Sequence, residues 1–209
     1  MKACIWTHFN AHGALLIKQA MTSGDCVDDE QIISSVKQWV ETLIVGMNLC
    51  PFAKRELVKE RVRFVATAST TEEQLLMDLQ AELERLNANP SIETTLLIHA
   101  DVLQDFYQYN DFLNYADDLL IDMGLEGTYQ VASFHPDYQF GGTEPDDAEN
   151  YTNRSPYPML HLLREASLEK VIADYPDVDQ IPEQNIALMN ELGQDKLKEL
   201  FSSFLVNKG

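Results

Sequence analysis

Cys50, followed at once by Pro51 and Phe52, opens a stretch in which Lys54, Arg55, Lys59, Arg61 and Arg63 are set against only Glu56 and Glu60. Positive potential lowers a thiol's pKa and raises the thiolate fraction, the form that a cysteine nucleophile needs. The end of a helix, where Cys50 is expected to lie, opposes this because the dipole there disfavours an anion. A small buried hydrophobe is the plain alternative for Cys50. The same basic run could recruit an anionic metabolite. Arg63 stands out because it lies inside a strand pattern between Val62 and Phe64, facing either a pocket or a solvated edge.

A second group of candidates surrounds a long irregular run, 135–155. His135 ends a strand pattern and precedes Pro136, which suits a general base or a metal ligand. His161, on an expected helix beyond the run, could approach it, with Arg164 one turn further on. A capped core histidine is the alternative for both. Asp137, Glu144, Asp146, Asp147 and Glu149 could hold a hard cation such as Mg²⁺. Their spacing matches no calcium loop, however, and a solvated acidic turn is the simpler reading. Gly141 and Gly142 form no phosphate-binding motif. Ser155 and Pro156 read as a helix cap and first helical residue, making Arg154, beside Asn153, a candidate anion contact. Asp101, at the end of another strand pattern, joins the ligand-binding candidates. No residue is assigned to a metal, and no cofactor is implied.

The elements that must position these residues follow from periodicity. Ile32, Val36, Trp39, Val40, Leu43 and Met47 recur at helical spacing, up to a stop at Pro51. Residues 61–68 read as a strand, and Thr70 with Glu73 as the capping box of a helix through Leu86. A buried strand is expected over 94–100, a helix over 102–123 closed by Gly124, and a third strand over 129–134. Two helices, 156–174 and 182–205, finish the chain. The fold class is therefore α/β: a small parallel or mixed sheet of about three strands, flanking helices, and two carboxyl-terminal helices. An α+β sandwich is the alternative. The domain expectation is an amino-terminal extension, 1–28, followed by a single α/β domain, 29–209. Met21 opens an acidic lead-in, so residues 1–20 can equally be read as upstream of the original start. In parallel sheets ligands gather beyond the carboxyl ends of strands, here Ser69, Asp101 and His135.

Composition narrows the partners. With 15 Lys and Arg against 34 Asp and Glu, the net charge is −19, which argues against nucleic acid and anionic membranes. No apolar stretch approaches the roughly 20 residues of a membrane span, and no signal peptide is evident, so a cytoplasmic location is expected. Cys4, Cys26 and Cys50 indicate neither a disulfide framework nor a zinc ribbon. The segments NLCPFAK (48–54) and FHPDYQFGGTEPDDAENYTNRSPYPMLHLLREAS (134–167) resemble the signature segments of a bacterial family catalogued as domain of unknown function 1415. The resemblance extends over about residues 29–205, and it implies a compact protein but no particular reaction.

Three functional readings follow. The first is an enzyme or binder of a small anionic metabolite. Its site would form from the Cys50 segment and the 135–155 run, with His135 moving protons, Cys50 as nucleophile or as support behind the reacting groups, and Arg63, Arg154 and Arg164 holding the anion. The second is a divalent-metal-binding hydrolase using His135, Asp137, Asp146 and Asp147. The third is a non-catalytic interaction module. Oligomeric state is not legible.

Overall fold

The computed structural model describes residues 28–175 and 178–205. The expectations placed on residues 1–27, including the extension and the alternative start, lie outside the described residues. From Asp29 the apolar stripe forms as its spacing predicts. Helix α1 (Asp29–Trp39) runs into a π-helical turn (Val40–Val45), with Ile32, Val36, Trp39, Val40 and Leu43 buried. Gly46 closes that wide turn through its N–H to the Glu41 carbonyl at 3.0 Å, and its backbone leaves no room for a Cβ against the Thr42 carbonyl. Asn48 then takes a left-handed conformation (φ 56°), which Asn tolerates better than most residues. The chain thus turns at Cys50–Pro51 into a short helix, α2 (Ala53–Val58), which periodicity did not indicate.

Next come β1 (Val62–Ala66), α3 (Glu72–Ala88), β2 (Thr94–Ile98), α4 (Phe106–Asp122) and β3 (Tyr129–Phe134), in the expected order. The α3 cap lies one residue later than the Thr70–Glu73 pair. Thr71 Oγ1 accepts from the Gln74 N–H at 3.3 Å, and Gln74 Oε1 accepts from the Thr70 N–H at 2.9 Å. Helix α4 starts at Phe106 because Asp105 caps it, accepting from the Tyr107 and Gln108 N–H groups at 3.0 Å. Gly124 (φ 66°) ends it, as expected.

The segment beyond residue 155 corrects the expectation. Met159–Arg164 is a strand, β4, and only Glu165–Asp174 is helical, as α5. Ser155 and Pro156 therefore start no helix, and the Ser155 hydroxyl donates to the Tyr157 carbonyl at 2.7 Å. The final helix divides at Gly193 (φ 76°) into α6 (Ile181–Leu192) and α7 (Gln194–Phe204). Leu and Met are strong helix formers, and a strand covered on both faces shows no alternation of polarity, so residue types alone favoured a helix.

The sheet is mixed and four-stranded, in the order β1-β2-β4-β3, with helices on both faces, and the sandwich alternative does not form. β1 and β2 are parallel, whereas β4 lies antiparallel between β2 and β3. The second and third strands run in the same direction but are separated by β4. One face, carrying Leu97, Leu160, Leu162 and Tyr129, packs on α3 and α4. The other carries Leu96, Ile98, Met159 and Phe64 and packs on α1, α6 and α7.

Arg164, at the end of β4, ties the first face together. It donates to Tyr129 Oη at 2.9 Å, to the Ile92 carbonyl from Nε and Nη2 at 3.2 and 3.0 Å, and to the Leu86 and Asn89 carbonyls at the end of α3. Charged hydrogen bonds to helix-terminal carbonyls are the stronger kind. Arg164→Ala is expected to lower stability by roughly 2–4 kcal/mol, with Arg164→Lys in between because it lacks the forked donor. Urea unfolding measures this, and an unchanged midpoint for the alanine variant would show that the clasp is idle.

Candidate functional site

The 135–155 run is a loop that braces itself. His135 is fully buried beside Phe106 and Tyr109 of α4, at ring distances of 5.5 and 5.1 Å. Its Nδ1 accepts from the Asp137 N–H at 3.0 Å, so the proton sits on Nε2 and is donated to the Leu103 carbonyl at 3.2 Å. Burial holds this imidazole below its ordinary pKa, and both nitrogens are engaged. Buried Asn150 organises the loop tip: Oδ1 accepts from the Phe140 N–H and the Thr143 hydroxyl, and Nδ2 donates to the Glu144 carbonyl. Arg154 donates to the Tyr138 and Pro145 carbonyls at 3.2 and 2.6 Å and lies over the Tyr151 ring. Asp137, Glu144, Asp146 and Asp147 are exposed.

This geometry corrects two earlier expectations. His135 offers no free lone pair to a substrate or a metal, and among the described residues no three His, Cys, Asp or Glu side chains converge as a metal site. The metal-hydrolase reading loses its ligands. The anion clamp does not assemble either. Arg63 points at α3, where its Nε and Nη2 bind the two oxygens of buried Glu82 at 2.6 and 2.9 Å, an interaction that holds its pKa up. Arg154 is engaged within the loop and Arg164 at the end of α3, while Asp101 is exposed on the turn after β2. The exposed large hydrophobics on described residues, such as Val58, Met77, Tyr107 and Ile172, are spread over α2, α3, α4 and α5.

Three of the candidates do come together on the other face of the sheet, and Arg164 borders the same space from the end of β4. Cys50, Asn153 and His161 line a cavity of about 350 Å³. His161 reaches it because β4 is extended: residue 161 faces one side of the sheet and Arg164 the other. This places His161 opposite Leu96 of β2 and Ala132 of β3. His135, packed on α4, lies across the sheet from Cys50, so the two do not meet. The walls are largely apolar, from Trp39, Val40, Ile44, Leu57, Phe134 and Leu168. Val62 and Thr94, at the amino ends of β1 and β2, also contribute, so the cavity favours the end of the sheet opposite to the one expected.

The polar groups of the cavity are few and definite. The Thr94 hydroxyl donates to the Leu162 carbonyl at 2.6 Å and therefore accepts from His161 Nε2–H at 2.7 Å. That assignment leaves His161 Nδ1 unprotonated, and burial pushes the ring's pKa down to about 4. Trp39 Nε1, Glu56 Oε2 and Glu93 Oε1 are buried atoms without hydrogen-bond partners, and all three residues line the cavity. None of the three was singled out from sequence. Trp39 read as one more member of an apolar stripe, and Glu56 only as a counter-charge within the basic run. Only Glu93, immediately before the fully buried strand β2, carried a positional hint.

Fold and site together define an α/β protein with a small-molecule-sized apolar cavity between one sheet face and the helices that cover it. The chain belongs to the family described as Protein of unknown function (DUF1415), whose model matches residues 31–199. No curated protein and no solved structure matches it. Among the described residues, no helix is long and apolar enough to cross a membrane.

The buried histidines predict acid sensitivity. His99 is fully buried, with Nδ1–H on the Val102 carbonyl and Nε2 unpartnered, and burial lowers its pKa to about 4. Above the ordinary value of 6.5 the ring is neutral in both folded and unfolded chains, so stability does not depend on it there. As pH falls from 6.5 towards 4, only the unfolded chain gains the proton, and stability drops. A shift of this size corresponds to about 3 kcal/mol for His99, with His161 adding in the same direction. Urea midpoints measured from pH 7 to pH 4 should fall accordingly. His99→Phe should flatten the slope while leaving stability at pH 7 close to wild type, and an unaltered slope would assign the acid loss elsewhere.

Proposed function

We propose that this protein binds a small, predominantly apolar molecule in the cavity between β4 and helices α1, α2 and α5. The observation that carries this reading is the cavity itself: about 350 Å³, apolar walls, and a few convergent polar groups in His161, Trp39, Glu56 and Glu93. Ligand pockets have this size and this mixture, whereas empty space in an ordinary core is kept far smaller. An anionic metabolite, favoured by the basic 54–63 run, loses its support because the arginines meant to hold it are engaged with Glu82, with backbone carbonyls and with Tyr129. Asn153 and Cys50 keep a place in the site as wall residues. Asn153 is held by its Nδ2–H on the Ser133 carbonyl at 3.3 Å.

A ligand that prefers the folded state raises stability by about 2.7 kcal/mol at roughly one hundred times its Kd. A thermal-shift screen of uncharged apolar molecules of six to twelve heavy atoms is therefore expected to return stabilising compounds. Their binding should also change the fluorescence of Trp39. Ala132→Leu, which fills the cavity from β3, should abolish both responses and leave the protein folded. Equal ligand-induced shifts in wild type and Ala132→Leu would place the binding site elsewhere.

A further inference from the structure

We infer that the ligand carries a nitrogen head group that donates hydrogen bonds, an amine or an amide, and not a carboxylate or phosphate; this rests on the cavity being a binding site. The inference follows from which hydrogen-bonding capacities around the cavity are still unused. Glu56 and Glu93 flank Arg61. Arg61 Nη2 donates to Glu93 Oε2, and Nη1 lies 3.3 Å from Glu56 Oε2 without making a hydrogen bond. Arg55 Nε binds the other Glu56 oxygen at 2.6 Å. Each carboxylate therefore keeps one buried oxygen without a hydrogen bond, Oε2 of Glu56 and Oε1 of Glu93. The Glu56 side chain is only 10% exposed and the Glu93 side chain 12%.

An ionised carboxylate only accepts hydrogen bonds, and leaving such an oxygen buried and unmatched is costly. His161 Nδ1 is a third acceptor, since its Nε2 proton goes to Thr94. Asn185, also on the wall, has its Nδ2–H taken by the Leu49 carbonyl at 2.9 Å. Against these acceptors stands one unmatched buried donor on the wall, Trp39 Nε1–H. The cations bordering the cavity do not restore the balance. Arg61 is held by two glutamates, Arg164 by carbonyls and Tyr129, and Arg55, with a 57% exposed side chain, faces solvent around Glu56. An amide is the fullest match, because its N–H groups suit the carboxylates and its carbonyl suits Trp39. An added anion would meet two carboxylates, with the indole as the one buried donor left unmatched on the wall.

Four probes of equal chain length test this: hexylamine, hexanamide, hexanoate and hexanol, followed by thermal shift and by tryptophan fluorescence titration. Hexanamide and hexylamine are expected to bind at least about tenfold more tightly than hexanoate, the difference that one charged hydrogen bond makes. Glu93→Gln should reduce the advantage of hexylamine over hexanol about tenfold, with a cooperative thermal unfolding transition reporting that the variant is folded. Glu56→Gln is the second variant, and the wild-type ranking stands without either. Hexanoate or hexanol binding as well as the nitrogen probes would overturn the inference while leaving the cavity reading intact. Retention of the amine preference in both glutamine variants would overturn it too. No response to any probe would overturn inference and cavity reading together.

Discussion

The antiparallel placement of β4 between β2 and β3 governs most of what this structure does. Hydrogen-bond ladders on both edges hold Met159–Arg164 extended, whatever helix propensity its leucines carry. Extension sends alternate side chains to opposite faces. Leu160, Leu162 and Arg164 thereby join the α3–α4 side, while Met159 and His161 join the side covered by α1 and α7. A one-residue slip in this register would turn Arg164 away from the end of α3, onto the cavity's side of the sheet, and put His161 under α3. The cavity, the clasp on α3 and the two cores therefore share one determinant.

Charge is arranged around the same division. In a chain of net charge −19, the half-buried arginines have no shortage of acceptors. Arg63 meets Glu82 beneath α3, Arg164 meets the carbonyls that end α3, and Arg154 ties the loop to itself. A guanidinium in these settings is a structural fork, since at least two of its nitrogens are engaged at once. Two of the buried oxygens left without a hydrogen bond, on Glu56 and Glu93, lie beside Arg61, and they argue for a ligand polarity opposite to the one that the basic run 54–63 suggested. A local excess of Lys and Arg in sequence says nothing about which carboxylate each will find across the sheet.

Much of the scaffold was legible in the residue pattern. The stripe from Ile32 to Leu43, the run 94–100 and the end of a helix at Gly124 were readable because each depends on neighbours a few positions away. Burial of a stripe, a run of apolar residues and a left-handed glycine are local constraints. α2 escaped because six residues give too short a period to stand out. β4 escaped because its partners, residues 94–98 and 129–134, are distant in sequence and its own residues favour a helix. The site was legible only in part. Cys50, Asn153 and His161 do share a cavity, whereas His135 was placed correctly at a strand end and proved to be locked by Asp137 and Leu103.

The amino acid order alone was enough to establish an α/β chain with a long irregular run after its third strand and strand ends worth inspecting. These properties rest on spacing, caps and turns, whose energetics act within a few residues. Which face each histidine occupies, which arginines are already bound, and where an apolar space is left unfilled came from the packing of segments tens of residues apart. That outcome belongs to β4, because an extended strand alternates its side chains with a period of two, and only its neighbours decide that it is extended at all.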